Sequence, residues 1–278
     1  MIIDFHTHTF PDRIARAAIS KLEQAAHALS HTDGTRNGLL NAMKKAEITR
    51  AVVLPVATNP LKCASMNDAS LPLDGVDGLT YFAAIHPDAP DWREELTRVK
   101  SLGFKGVKIH PVYQNVPIDD ARFVRILARC GELGLIVVMH SGADIGFPGV
   151  EMCSPARLRN ALKQSGPVTL VAAHMGGWRN WAEVPEQLLD TGIYLDTAFS
   201  LGSIAPLDDH YAPEELAMLS DDAFVDMVRL FGSQRIVFGT DSPWDNMRDC
   251  VAHIRRLPLT DAEKEDIFCN NACKLLGL

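Results

Sequence analysis

Eight short apolar runs recur along the chain, and they restrict its fold more than any other feature. They are IIDFHTH (2–8), RAVVLPV (50–56), LTYFAAIH (79–86), FKGVKIHP (104–111), LIVVMHSG (135–142), VTLVAAHMG (168–176), IYLDTAF (193–199) and RIVFGTDSP (235–243). Most are continuous rather than alternating, the pattern of strands buried on both faces. Helical patterns lie between them, with apolar residues at i, i+3 and i+4 over 13–29 and 38–48. Further helices are expected over 91–103, 120–134, 154–166, 180–190, 213–231, 246–256 and 260–276, with Ser154 as N-cap and Pro155 in the first turn of its helix. Eight strand units, each followed by helix, predict an α/β fold, the (β/α)8 barrel, as one domain over 1–278. An open doubly wound sheet would open on a glycine-rich turn, and the first turn here reads HTHTFPDR instead.

The polar residues gather at one end of these runs. His6 and His8 end the first, His86 the third and His140 the fifth. His174 ends the sixth and Asp241 the eighth, while the fourth carries Lys108 and His110. In a barrel the C-terminal strand ends form one mouth, where active sites lie. Residues i and i+2 of a strand share a face, so His6 and His8 project together, as one metal ion requires.

Composition narrows the partners. The net charge of −8 argues against a nucleic-acid partner. No apolar stretch approaches the ~20 residues that span a bilayer, and the start enters a strand pattern without a signal peptide. The six cysteines contain no Cys-x-x-Cys pair and are expected to be reduced thiols of a cytoplasmic protein. Cys269 and Cys273 share a helical face, but two thiols alone make a poor zinc site.

The pieces DFHTH, GVKIHP, VVMHSG, VAAHMGG and FGTDSPW, together with HSGADIGFPG and NNACKLLGL, run in order over nearly the whole chain. In them the sequence resembles the amidohydrolase superfamily, and most closely its amidohydrolase-2 branch of hydrolases, lactonases and aminocarboxymuconate-semialdehyde decarboxylase-like enzymes. The resemblance implies a barrel with a divalent metal, usually zinc, and the ligand types also admit manganese or iron. It implies His6, His8, His140 and Asp241 as ligands, and His174 as a further ligand or a catalytic residue. Asp241 would double as general base toward water, and His174 would polarise a carbonyl or carry a proton.

The remaining residues keep two readings each. Lys108 either bridges a second metal or lies one layer down in the barrel interior; the layering favours the interior and a single metal. His86 reaches the pocket or caps a turn, and His110 and Asp144 are expected near the substrate. Arg157 binds a substrate carboxylate or belongs to a surface helix, with Arg179 as the other candidate arginine. Trp178 walls the pocket or packs beneath its loop. The leading expectation is hydrolysis of a small amide, ester or lactone by a metal-activated water. The alternative is decarboxylation of a small aromatic or muconate-like acid, whose bulk would draw cover from a partner chain in a homodimer. A histidinol-phosphatase-like reaction is disfavoured, because TDSPW lacks the late histidine of that pattern.

Overall fold

The computed structural model describes residues 1–278 and contains nine short strands, all but β3 and β4 separated by helices. The strands are β1 (Ile3–Thr7), β2 (Arg50–Val53), β3 (Leu79–Tyr81), β4 (Ala83–Ala84), β5 (Gly106–Ile109), β6 (Ile136–Met139), β7 (Leu170–Ala172), β8 (Tyr194–Asp196) and β9 (Ile236–Val237). The run expected as one strand over 79–86 is two, β3 and β4. Between them Phe82 turns its N–H to the Val53 carbonyl at 3.0 Å.

The chain forms two compact units. The first comprises Met1–Val52, Ile145–Pro148 and Asp196–Leu278. Within it, β1 runs beside the eighth apolar run: Phe5 N donates to Phe238 O at 2.7 Å, and Thr7 bridges Ser242 in parallel. On its other side, Thr7 Oγ1 donates to Val52 O at 2.8 Å. β1 is buried along its whole length, as its apolar run requires.

The second unit comprises Val53–Asp144 and Gly149–Leu195. Within it, β4, β5, β6, β7 and the start of β8 pair in parallel in chain order, with Lys108 opposite Val138 and Met139 opposite Ala172. Parallel strands in sequential order need a helix to return the chain each time. Trp92–Ser101, Ala121–Leu133, Pro155–Ser165 and the short Val184–Leu188 supply those returns. Ala121–Leu133 buries Phe123, Ile126, Leu127 and Cys130, spaced so that all four fall on one stripe.

Three helical expectations change. Cys63–Ser70 is helical although its short polar sequence gave no periodic signal. The stretch 213–231 splits into Pro213–Leu216 and Asp221–Phe231. The residues between leave the helix because Met218 N and Leu219 N donate to Gly202 O and Ser200 O. Ser154 holds the N-cap position, but its hydroxyl accepts no helix N–H; Pro155 follows it as expected. No helix is long and apolar enough to cross a membrane.

Candidate metal centre and its histidine neighbours

In the first unit, β1 and the turn after β9 bring together His6, His8 and Asp241. His6 Nε2 lies 3.2 Å from His8 Nε2 and 3.3 Å from Asp241 Oδ1, and His8 Nε2 lies 3.2 Å from that same oxygen. The three donor atoms therefore form a nearly equilateral triangle. Bonds of about 2.1 Å to one tetrahedral metal would put ligand atoms about 3.4 Å apart. The triangle matches that edge, so the donor set fits a divalent cation.

The local chain explains the match. Asp241 N donates to His6 O and His8 N to Ser242 O, which places the carboxylate level with both imidazoles. Asp241 has φ 60°, a left-handed backbone that only surrounding structure can impose on a non-glycine residue. Behind the triangle, Asp4 accepts from His6 N and from both Thr240 N and Thr240 Oγ1, locking the two ligand-bearing segments together. Burial pushes the Asp4 carboxyl up to about 7.

Asp196, at the end of β8, supplies the contact that sequence reasoning missed. Fully buried, it holds His6 Nδ1 at 2.7 Å. A carboxylate only accepts, so the His6 proton sits on Nδ1 and the Nε2 lone pair faces the triangle. The available signal was one carboxylate inside the otherwise apolar run IYLDTAF.

In the second unit, the ends of β5, β6 and β7 gather His110, His140, Asp144 and His174. Asp144 Oδ2 lies 3.5 Å from His110 Nε2 and 3.7 Å from His140 Nε2, and the His110 and His140 rings stack at 4.0 Å. These three also form a group able to hold a metal. Their hydrogen bonds give them another character. His140 Nε2 lies 3.0 Å from the Ala143 carbonyl, which only accepts, so Nε2 carries the proton. His140 Nδ1 then accepts from His174 Nε2 at 3.0 Å. Tyr113 N donates to His110 Nδ1 at 3.3 Å, so a neutral His110 holds its proton on Nε2, toward Asp144.

Loop geometry fixes this arrangement. Trp178 N donates to Ser141 O, and Ala143 N donates to Trp178 O. The approach is so close that a Cβ on Gly142, whose φ is +90°, would lie 2.2 Å from Trp178 N. His174 has φ 59°, and its carbonyl accepts from Trp181 Nε1 at 2.9 Å. Trp178 is buried, with the Arg179 guanidinium 4.8 Å above its ring.

The other expected site residues divide plainly. His86 caps its own turn, Nδ1 accepting from Asp88 N at 3.1 Å. Arg157 is held by Asp119 at 2.8 Å. Lys108 is a buried interior residue of β5, at 1% exposure.

The family model described as Amidohydrolase matches residues 3–278. No curated protein matches the sequence. Among solved structures, the chain is similar to an uncharacterized TIM-barrel protein, Bb4693 of Bordetella bronchiseptica, at 17% identity and a TM-score of 0.74 over 99% of this chain and 98% of that one. It is similar to a dihydroxybenzoic acid decarboxylase of Polaromonas sp. JS666, with bound manganese and the inhibitor 2-nitroresorcinol, at 15% identity and a TM-score of 0.70 over 100% and 97%. It is also similar to a putative 2-pyrone-4,6-dicarboxylic acid hydrolase of Pseudomonas putida, at 19% and 0.65 over 99% and 97%. Several further likenesses are to decarboxylases. At these identities the likenesses establish the fold, a TIM barrel.

Proposed function

The chain belongs to the amidohydrolase family, and from that premise we propose that it is a metal-dependent decarboxylase of a small aromatic or muconate-like carboxylic acid. The observation that carries the metal dependence is the His6–His8–Asp241 triangle with Asp196 behind it. The choice of lyase over the hydrolase expected from sequence is supported by the decarboxylases that predominate among the similar folds.

His6, His8 and Asp241 would hold the cation. Zinc and manganese both accept two imidazoles and a carboxylate. The chemistry that a divalent metal would supply at these residues is Lewis-acid stabilisation of the negative charge on a bound acid. His174 supplies the proton that takes the carboxyl group's place on carbon. Its Nε2 hydrogen bond to His140 Nδ1 orients the ring, so Nδ1 would deliver the proton, taken up there from solvent. His110, 3.5 Å from Asp144, and the buried Trp178 would be the groups that contact the substrate. The products are carbon dioxide and the acid's parent compound bearing one new C–H bond.

A second reading, hydrolysis of a lactone, is favoured by the likeness to the pyrone dicarboxylic acid hydrolase. Asp241 would then take a proton from the attacking water. The test is to supply the manganese- or zinc-loaded enzyme with 2,6-dihydroxybenzoate, other hydroxybenzoates and 2-pyrone-4,6-dicarboxylate. Release of carbon dioxide with a decarboxylated product is expected. Ring opening without carbon dioxide would replace this reading with the hydrolase.

A further inference from the structure

Four of the six cysteines sit apart as single thiols: Cys63, Cys130 and Cys153 are buried, and Cys250 is half-buried. Cys269 and Cys273 differ. Their sulfurs lie 3.6 Å apart and both are partly exposed. They stand on one continuous helical stretch in the first unit, α-helical over Asp261–Glu265, wider over Asp266–Asn270 and α-helical again over Asn271–Leu276. The rest of that stretch is pinned. Ile267 O accepts from Phe238 N, and Asn271 Nδ2 donates to Ser233 O and Ile236 O.

The sulfur separation selects what could join the two. Bonds to thiolate sulfur are about 2.3 Å long, taking zinc as the scale. A linear two-coordinate centre would hold its sulfurs about 4.6 Å apart. A pyramidal centre, with its bonds near a right angle, needs about 3.3 Å, close to what the helix already provides. A tetrahedral metal would also span the gap, but it needs further donors. Neither group of three metal-capable side chains in this chain includes these cysteines. We infer that Cys269 and Cys273 form a two-sulfur chelating site for a trivalent organoarsenical, R–As=O.

The reaction balances without an oxidant. Two As–S bonds form, the As–O double bond breaks, and the oxygen leaves as water with both thiol protons. Arsenic remains trivalent. Burial and the hydrogen bond with Cys273 hold the Cys269 thiol above its usual range, so Cys269 keeps the proton that this condensation releases into water. Because i and i+4 already share a face, the chelate forms without unwinding the helix.

Phenylarsine oxide is the probe. One equivalent added to the folded full-length chain should give a single adduct by intact mass, heavier by one phenylarsine oxide less one water. It should survive a glutathione wash and be removed by 1,2-ethanedithiol. Cys269→Ser and Cys273→Ser should each weaken retention by about 10²–10⁴-fold, the loss of a second intramolecular bond, while Cys250→Ser retains the adduct. An adduct that persists in the Cys269→Ser/Cys273→Ser double variant, or its absence from the folded wild-type chain, overturns the inference.

Discussion

The two units each carry a group of two histidines and one aspartate, yet the groups are built for different work. In the first, the donor atoms stand 3.2–3.3 Å apart, and Asp196 turns the His6 Nε2 lone pair inward. In the second, the corresponding distances are 3.5 and 3.7 Å, and both His140 nitrogens are directed at protein atoms. Identical residue types therefore form a triangle whose spacing suits a cation in one place and a chain of hydrogen-bonded imidazoles in the other. What decides between them is the partner on the far side of each ring, because that partner fixes which nitrogen keeps its proton.

The comparison breaks most readily at His8. His8→Ala removes one corner of the triangle, and bound metal should fall from about one per chain to below about a tenth of that after dialysis. Elemental analysis reads this directly, and full occupancy in the variant would end the assignment. His174→Asn tests the other unit. Turnover should fall by about 10²–10⁴-fold with metal content nearly unchanged. If the metal leaves with His174, the imidazole chain belongs to the metal centre and the contrast between the units disappears.

Asp196→Asn sharpens the contrast by altering only the residue behind His6. The amide can still hydrogen-bond but no longer enforces one tautomer, so metal affinity should drop by about 10–100-fold, measured by competition with a chelator. A smaller effect concerns Asp245, whose carboxyl burial pushes up to about 7. Its folded pKa lies above the unfolded value of 3.8, so the folded state binds the extra proton between these limits. Stability should therefore decline as pH rises from about 4 to 7. Asp245→Asn should flatten the dependence of Tm on pH across that window; an unchanged slope would assign it to other groups. The smallest effect is expected at Arg157, half-exposed and paired with Asp119. Arg157→Met should cost under about 1 kcal/mol of stability in denaturant unfolding and leave KM unchanged. A large rise in KM would return this arginine to the substrate.

The apolar runs that carry the strands, and the polar residues that close those runs, are legible in the sequence alone, although the run 79–86 holds two strands. Burial on both faces writes continuous apolar runs, and His6, His8, His140, His174 and Asp241 interrupt those runs visibly. Strand parity also placed His6 and His8 on one face. The partnerships come from the folded chain. Asp196 is 190 residues from His6, and nothing local in IYLDTAF announces that it holds an imidazole. His86 and Arg157 each kept two readings in the sequence, and the partners they have, Asp88 and Asp119, appear only in the fold. Periodicity and chain ends are local properties that a sequence carries in full. A hydrogen bond between distant segments depends on where the backbone brings them, and here that placement sets each histidine's protonated nitrogen and with it the chemistry.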